Sequence, residues 1–136
     1  MVTAGLPCLP LEGTNLATHL LDDVVDGAVE FIGGEPFMMA SVEQAELFQW
    51  YVDTGHCGHI KIKYNTNGTR LPVEQLELWR HFKEIELNVS MDGVGNKFEY
   101  LRFPANWQEF KHNLDYYRNL KLPNLKLTIM HTLSVF

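Results

Sequence analysis

Four short stretches of this chain carry side chains suited to holding a small polar ligand. The first is Phe31-Ile32-Gly33-Gly34-Glu35-Pro36, where an apolar run stops in two glycines, a carboxylate and a proline. Paired glycines let the backbone turn sharply or approach a ligand where a Cβ would block it, and Pro36 ends the strand by fixing φ and removing a donor. Glu35 then faces whatever lies beyond the strand end, with chemistry suited to an ammonium or a hydroxyl. The second stretch is Asn65-Thr66-Asn67-Gly68-Thr69 and the third is Ser90-Met91-Asp92-Gly93. Their Asn, Thr, Ser and Asp side chains are short donors and acceptors for a ribose, an amino-acid backbone or an amide. The fourth, Phe98-Glu99-Tyr100-Leu101-Arg102, ends in a planar guanidinium fork that suits a carboxylate.

The elements that position these stretches follow from hydrophobic spacing. Residues 1–13, broken around Pro7-Cys8-Leu9-Pro10, read as irregular. Thr14 caps a helix over about 15–25, with Leu16, Leu20 and Val24 on one face. Residues 28–33 form the first strand. A helix over 41–54 shows a capping-box pattern at Ser41 and Gln44, an apolar stripe of Ala45, Phe48 and Val52, and a stop at Gly55. A second strand covers 60–64, and a helix opened by Pro72 runs to about Phe82 with Leu76 and Trp79 on its inner face. A third strand covers 85–89. Asn106 caps a helix whose inner face is Phe110, Leu114 and Tyr117, and a fourth strand covers 125–133. Trp50, Trp79, Trp107, Tyr116 and Tyr117 form the packing layer against the sheet.

Strands alternating with helices imply parallel pairing through right-handed crossovers. Parallel strands covered on both faces read as continuous apolar runs. Here Ile60, Ile62 and Tyr64 alternate with Lys61, Lys63 and Asn65, and Ile85, Leu87 and Val89 alternate with Glu84, Glu86 and Asn88. One face therefore packs on helices and the other is polar, with Lys61 and Lys63 beside Glu84 and Glu86. The expected fold is α/β, a partial (β/α) barrel of about four parallel strands with helices on one face, in a single domain over 1–136. In such barrels ligands gather at the C-terminal ends of the strands, where the first three stretches and Thr132 fall, with Phe98–Arg102 following the third.

Together these motifs resemble the radical S-adenosylmethionine enzymes, most closely the twitch-domain subgroup, over roughly residues 28–136. The resemblance implies that Gly33, Gly34 and Glu35, with Pro36 closing the turn, hold the methionyl ammonium of S-adenosylmethionine. Asn65, Asn67, Ser90 and Asp92 would line the same cofactor, Ser90 reaching its ribose or methionyl part, and Arg102 would meet its carboxylate. In the family a reduced [4Fe–4S] cluster cleaves the cofactor, and the resulting 5′-deoxyadenosyl radical abstracts a substrate hydrogen. The Cys-x-x-x-Cys-x-x-Cys loop that holds the cluster is absent from this sequence, so the chain reads as a truncated core, inactive alone, with no metal ligands and no assigned catalytic residue. The alternative is a non-catalytic α/β module for a small ligand or a protein partner.

Composition narrows the remaining options. A net charge of −6 and a pI near 5.4 disfavour nucleic acid and anionic membranes, which draw on clustered Lys and Arg. Cys8 and Cys57 lie far apart and read as reduced thiols, which with the absence of a signal-peptide or membrane-span pattern gives a cytoplasmic location. His56-Cys57-Gly58-His59 reads as a polar connection opposite the ligand end. Unpaired sheet edges invite a homodimer or a partner chain.

Overall fold

The computed structural model describes residues 2–4, 27–31, 35–39 and 41–132. The helix expected over 15–25, together with Cys8, Gly33 and Gly34, lies outside the described residues. Five strands form one sheet in the order β1-β2-β3-β4-β5, with β1 Val2–Ala4, β2 Gly27–Phe31, β3 Ile60–Thr66, β4 Glu84–Ser90 and β5 Leu125–Met130. β2 to β5 are parallel, and β1, a three-residue strand absent from the sequence reading, pairs antiparallel to β2. The helices are α1 Pro36–Met39, α2 Ser41–Asp53, α3 Val73–Trp79, α4 Asn96–Leu101 and α5 Trp107–Asn119. None is long and apolar enough to cross a membrane.

The parallel strands lie side by side in chain order, so every right-handed crossover returns its helix to the same face. That gives the α/β arrangement of consecutive units in a partial (β/α) barrel. Registers align Val29, Ile62, Ile85 and Leu125 in one row and Phe31, Tyr64, Leu87 and Leu127 in the next. These rows meet Phe48, Tyr51, Trp79, Phe110 and Tyr117 of the helices in a single core. Aromatic rings dominate the contact: Tyr64 stacks on Phe31 at 4.9 Å and meets Phe37 at 4.8 Å and Trp79 at 5.6 Å. Such pairs add about 0.5–1.5 kcal/mol each beyond the area they bury. Of the five aromatics assigned to the packing layer, Trp79 and Tyr117 are buried and Trp50 and Trp107 pack partly against the core, but Tyr116 faces solvent.

The opposite face carries charge in register. Glu30, Lys63, Glu86 and Lys126 stand in one row across four strands. Glu84 accepts from Lys61 at 2.6 Å and from Lys126 at 2.9 Å. Lys63 turns to Glu30 at 3.0 Å rather than to Glu86, the partner the alternation suggested, and Glu86 accepts from the Asn88 amide.

Two local expectations change. Gln44, expected to cap its own helix, is buried, donating to the Pro36 carbonyl at 2.7 Å and accepting from the Tyr64 hydroxyl at 3.2 Å. Stripe periodicity shifts with it, to Gln44, Phe48 and Tyr51. Residues 96–101, given no element by the spacing, form α4, whose six residues carry too little amphipathic pattern to stand out.

Candidate functional site

Glu35, four residues beyond β2, reaches the C-terminal end of β3. Its Oε1 accepts the Thr66 hydroxyl at 2.6 Å, and its Oε2 accepts the Asn67 backbone N–H at 2.7 Å. Bonds to an ionised acceptor are short and roughly twice as strong as neutral ones, so this carboxylate joins the ends of two neighbouring strands. Thr66 occupies the buried parity of β3, in line with Ile60, Ile62 and Tyr64, where a hydroxyl must find partners. It donates to Glu35 and accepts from the Gly68 N–H at 3.1 Å.

Every turn of the following loop is pinned. Asn67 Oδ1 accepts from the Thr69 N–H at 2.9 Å and the Thr69 hydroxyl at 2.7 Å. Gly68 has φ +73°, and a Cβ there would stand 2.7 Å from the Phe110 ring and 2.9 Å from Val89, so only glycine fits. From α5, the Asn113 amide donates to the Gly68 carbonyl at 3.0 Å and the Tyr117 hydroxyl donates to the Arg70 carbonyl at 3.1 Å. Burial, with the Glu35 charge adding to it, pushes the Tyr117 hydroxyl far up, so it remains a donor.

At the end of β4, Asp92 Oδ2 accepts both Nε and Nη2 of Arg102, each at 2.6 Å. Its Oδ1 accepts the Thr132 N–H at 3.1 Å, beyond β5. Burial alone would raise the Asp92 carboxyl, but the Thr132 N–H and the Arg102 guanidinium outweigh it and hold the group below its usual range. The side-on grip uses the Nε/Nη2 edge of Arg102 and leaves its Nη1/Nη2 edge for another acceptor.

A cleft of about 600 Å³ opens between these groups, bordered by Met38, Asn67, Arg70, Arg102 and the 103–106 loop. It gathers Asn67, which is bonded to Glu35, and Arg102, which is bonded to Asp92. Other residues anticipated for the site stand differently. Pro36 is buried as the first residue of α1. Asn65 belongs to β3 rather than to the turn after it; it points to the polar face, accepting from Asn88 at 3.1 Å and donating to Glu30 at 3.4 Å. Ser90 ends β4 half-buried on that same face, opposite Met130.

Sequence reasoning named Thr66 only as one member of its stretch and passed over Arg70 and Asn113. Two of these left a signal: Thr66 is a polar residue at apolar parity, and Asn113 falls three residues after Phe110 on the inner stripe of α5. Among the described residues no three His, Cys, Asp or Glu side chains gather as a metal site. Cys57 sits in the turn that precedes β3, a seven-residue strand. At about 3.3 Å per residue, roughly 20 Å separates it from Glu35. Comparison with family models, curated proteins and solved structures returns no match for this chain.

Proposed function

We propose that these residues form a core of the radical S-adenosylmethionine type, which takes the methionyl end of that cofactor at the C-terminal ends of β2, β3 and β4. The observation that carries this reading is the Glu35 carboxylate held at the end of β3 by Thr66 and by the N–H of Asn67, a residue that borders the same cleft as Arg102. Glu35 retains acceptor capacity beyond Thr66 and Asn67, enough for an ammonium. Arg102 keeps its outer edge for a carboxylate, and Asp92 orients it by holding the inner one. Ser90 stands at the end of the intervening strand with its hydroxyl on the polar face.

In the family the bound cofactor supplies a 5′-deoxyadenosyl radical once a reduced [4Fe–4S] cluster delivers an electron. The cysteines of this sequence do not fit such a cluster at this place: there are two, and Cys57 belongs to the opposite end of β3. Binding of the cofactor, without cleavage, is therefore the activity assigned to these 136 residues. Cys57 as a free thiol suits a cytoplasmic setting.

Isothermal titration with S-adenosylmethionine tests the reading. Glu35→Ala and Arg102→Ala are each expected to weaken binding at least about tenfold, the loss of one charge-assisted contact. Equal affinity in all three proteins overturns it.

A partner-docking role is the second reading, favoured by the far side of β5. No described strand pairs with that edge, and Ile129 and Met130 on it are 39% and 50% exposed. Edges of this kind recruit strands from other chains. A self-associating species in sedimentation at high concentration supports it, and a strict monomer opposes it.

A further inference from the structure

We propose that the cleft bordered by Arg70, Arg102 and Asn106 takes a small organic anion, a carboxylate or phosphate carried on a flat apolar body, as a ligand distinct from the one held at Glu35. The inference does not rest on the S-adenosylmethionine reading; the two sites share Arg102 as a wall.

Hydrogen-bonding capacity decides the sign of the ligand. Asn67 spends its Oδ1 on Thr69, and Asn106 spends its Oδ1 on the N–H groups of Gln108 and Glu109. Backbone donors fix the oxygen in both amides, so each has only its NH2 left for the cleft. Arg102 adds the Nη1/Nη2 edge that Asp92 leaves. Arg70 is exposed and makes no ion pair among the described residues. The polar lining is thus mainly donors, opposed by the Thr69 hydroxyl and by Glu109 at the rim. Asp92 meets the charge of Arg102 and Glu109 offsets Arg70, so the wall is close to neutral in a chain of net charge −6, and its free donors rather than net charge select an anion.

Rigidity and shape decide that a ligand is expected. The loop carrying Arg70 is tied at the N–H groups of Asn67, Gly68 and Thr69 and at the carbonyls of Gly68 and Arg70. So fixed a backbone spares the cost of ordering the loop, leaving only the side-chain rotamers of Arg70 to be fixed on binding. The volume, about 600 Å³, falls within the range of small-molecule sites, roughly 300–1,000 Å³. Leu101 and Phe103 supply the apolar wall, and Phe103 is 86% exposed, a large ring left in water beside the donors.

The test is a titration of the 15N-labelled chain with benzoate and phenyl phosphate, with benzamide as the uncharged counterpart. Expected is saturable movement of the Asn67 and Asn106 side-chain signals, with the anions binding at least about tenfold tighter than benzamide and Arg70→Gln removing most of that preference. Among the described residues Arg70 holds its neighbours through its backbone carbonyl, so the variant keeps the fold, checked by its thermal midpoint. Equal binding of benzamide, or an Arg70→Gln protein that binds the anions unchanged, overturns the proposal. If S-adenosylmethionine does not bind at all, the anion titration still reads this site alone.

Discussion

Glu35 and Asn67 are 32 residues apart in sequence and joined by a 2.7 Å bond from a backbone N–H to a carboxylate oxygen. The bond fixes where the loop after β3 begins, and with it the position of every donor that the loop carries.

Replacing Glu35 with Gln keeps an oxygen for one of its two strong donors and turns an NH2 toward the other. Loss of one charge-assisted bond, with a donor left facing a donor, is expected to cost about 1–3 kcal/mol. Denaturant unfolding measures that loss, and amide hydrogen exchange at Asn67 should accelerate with it. Unchanged exchange at Asn67 would show that Glu35 does not anchor the loop.

Gly68→Ala meets two obstacles at once, a positive φ and the Phe110 ring 2.7 Å from the new methyl. Left-handed backbone and overpacking together are expected to cost about 2–4 kcal/mol. A thermal midpoint lower by roughly 5–15 °C would register it. A change under about 1 °C would mean that α5 shifts freely to make room.

Acid should weaken the fold through Asp92 and Glu84. Hydrogen bonds from Lys61 and then Lys126 lower Glu84 from its usual 4.5, and Asp92 lies below its usual 3.8. Each carboxylate therefore adds stability above its unfolded value, lost as the pH falls through the lower folded one. Lys61 has the opposite sign: raised from 10.5 by Glu84, its contribution fades only in strong alkali. Thermal midpoints between pH 2 and 7 should fall below about pH 4.5, and Asp92→Asn should flatten the lowest part of that limb while destabilising the neutral protein. A parallel limb in wild type and variant would remove Asp92 from the account.

Asn106→Ala deprives α5 of two N-terminal hydrogen bonds, those of the Gln108 and Glu109 N–H groups. About 1 kcal/mol is the expected loss. Asn106→Asp should restore it, because the carboxylate caps equally well. The same variant should bind benzoate more weakly than wild type, since it exchanges a donor for a negative charge. Calorimetric unfolding and the anion titration separate these two effects.

The sheet was legible because its information is local and periodic. Alternation at 60–64 and 85–89 assigned the inner and outer faces, and the register pairs Ile62 with Ile85 and Lys61 with Glu84 as that pattern required. Asn106 was legible as a cap for the same reason. Gln44 misled because its spacing from Ser41 satisfies a local motif while its burial under Tyr64 is decided by a strand twenty residues away. Of the site, the sequence marked Glu35, Asn67, Asp92 and Arg102 but not their partners. The Asp92 to Arg102 pair depends on α4 turning the chain back, and the support given by Asn113 and Tyr117 arises only in tertiary structure.

Those two supports have a consequence for synthesis. Asn113 and Tyr117 lie 45 and 47 residues after the carbonyls they hold. At about 5–20 residues per second, a ribosome delivers them several seconds after the loop has emerged. For that interval the nascent loop has its β3 tethers at most, and binding competence should appear abruptly, when α5 leaves the exit tunnel, rather than growing with chain length.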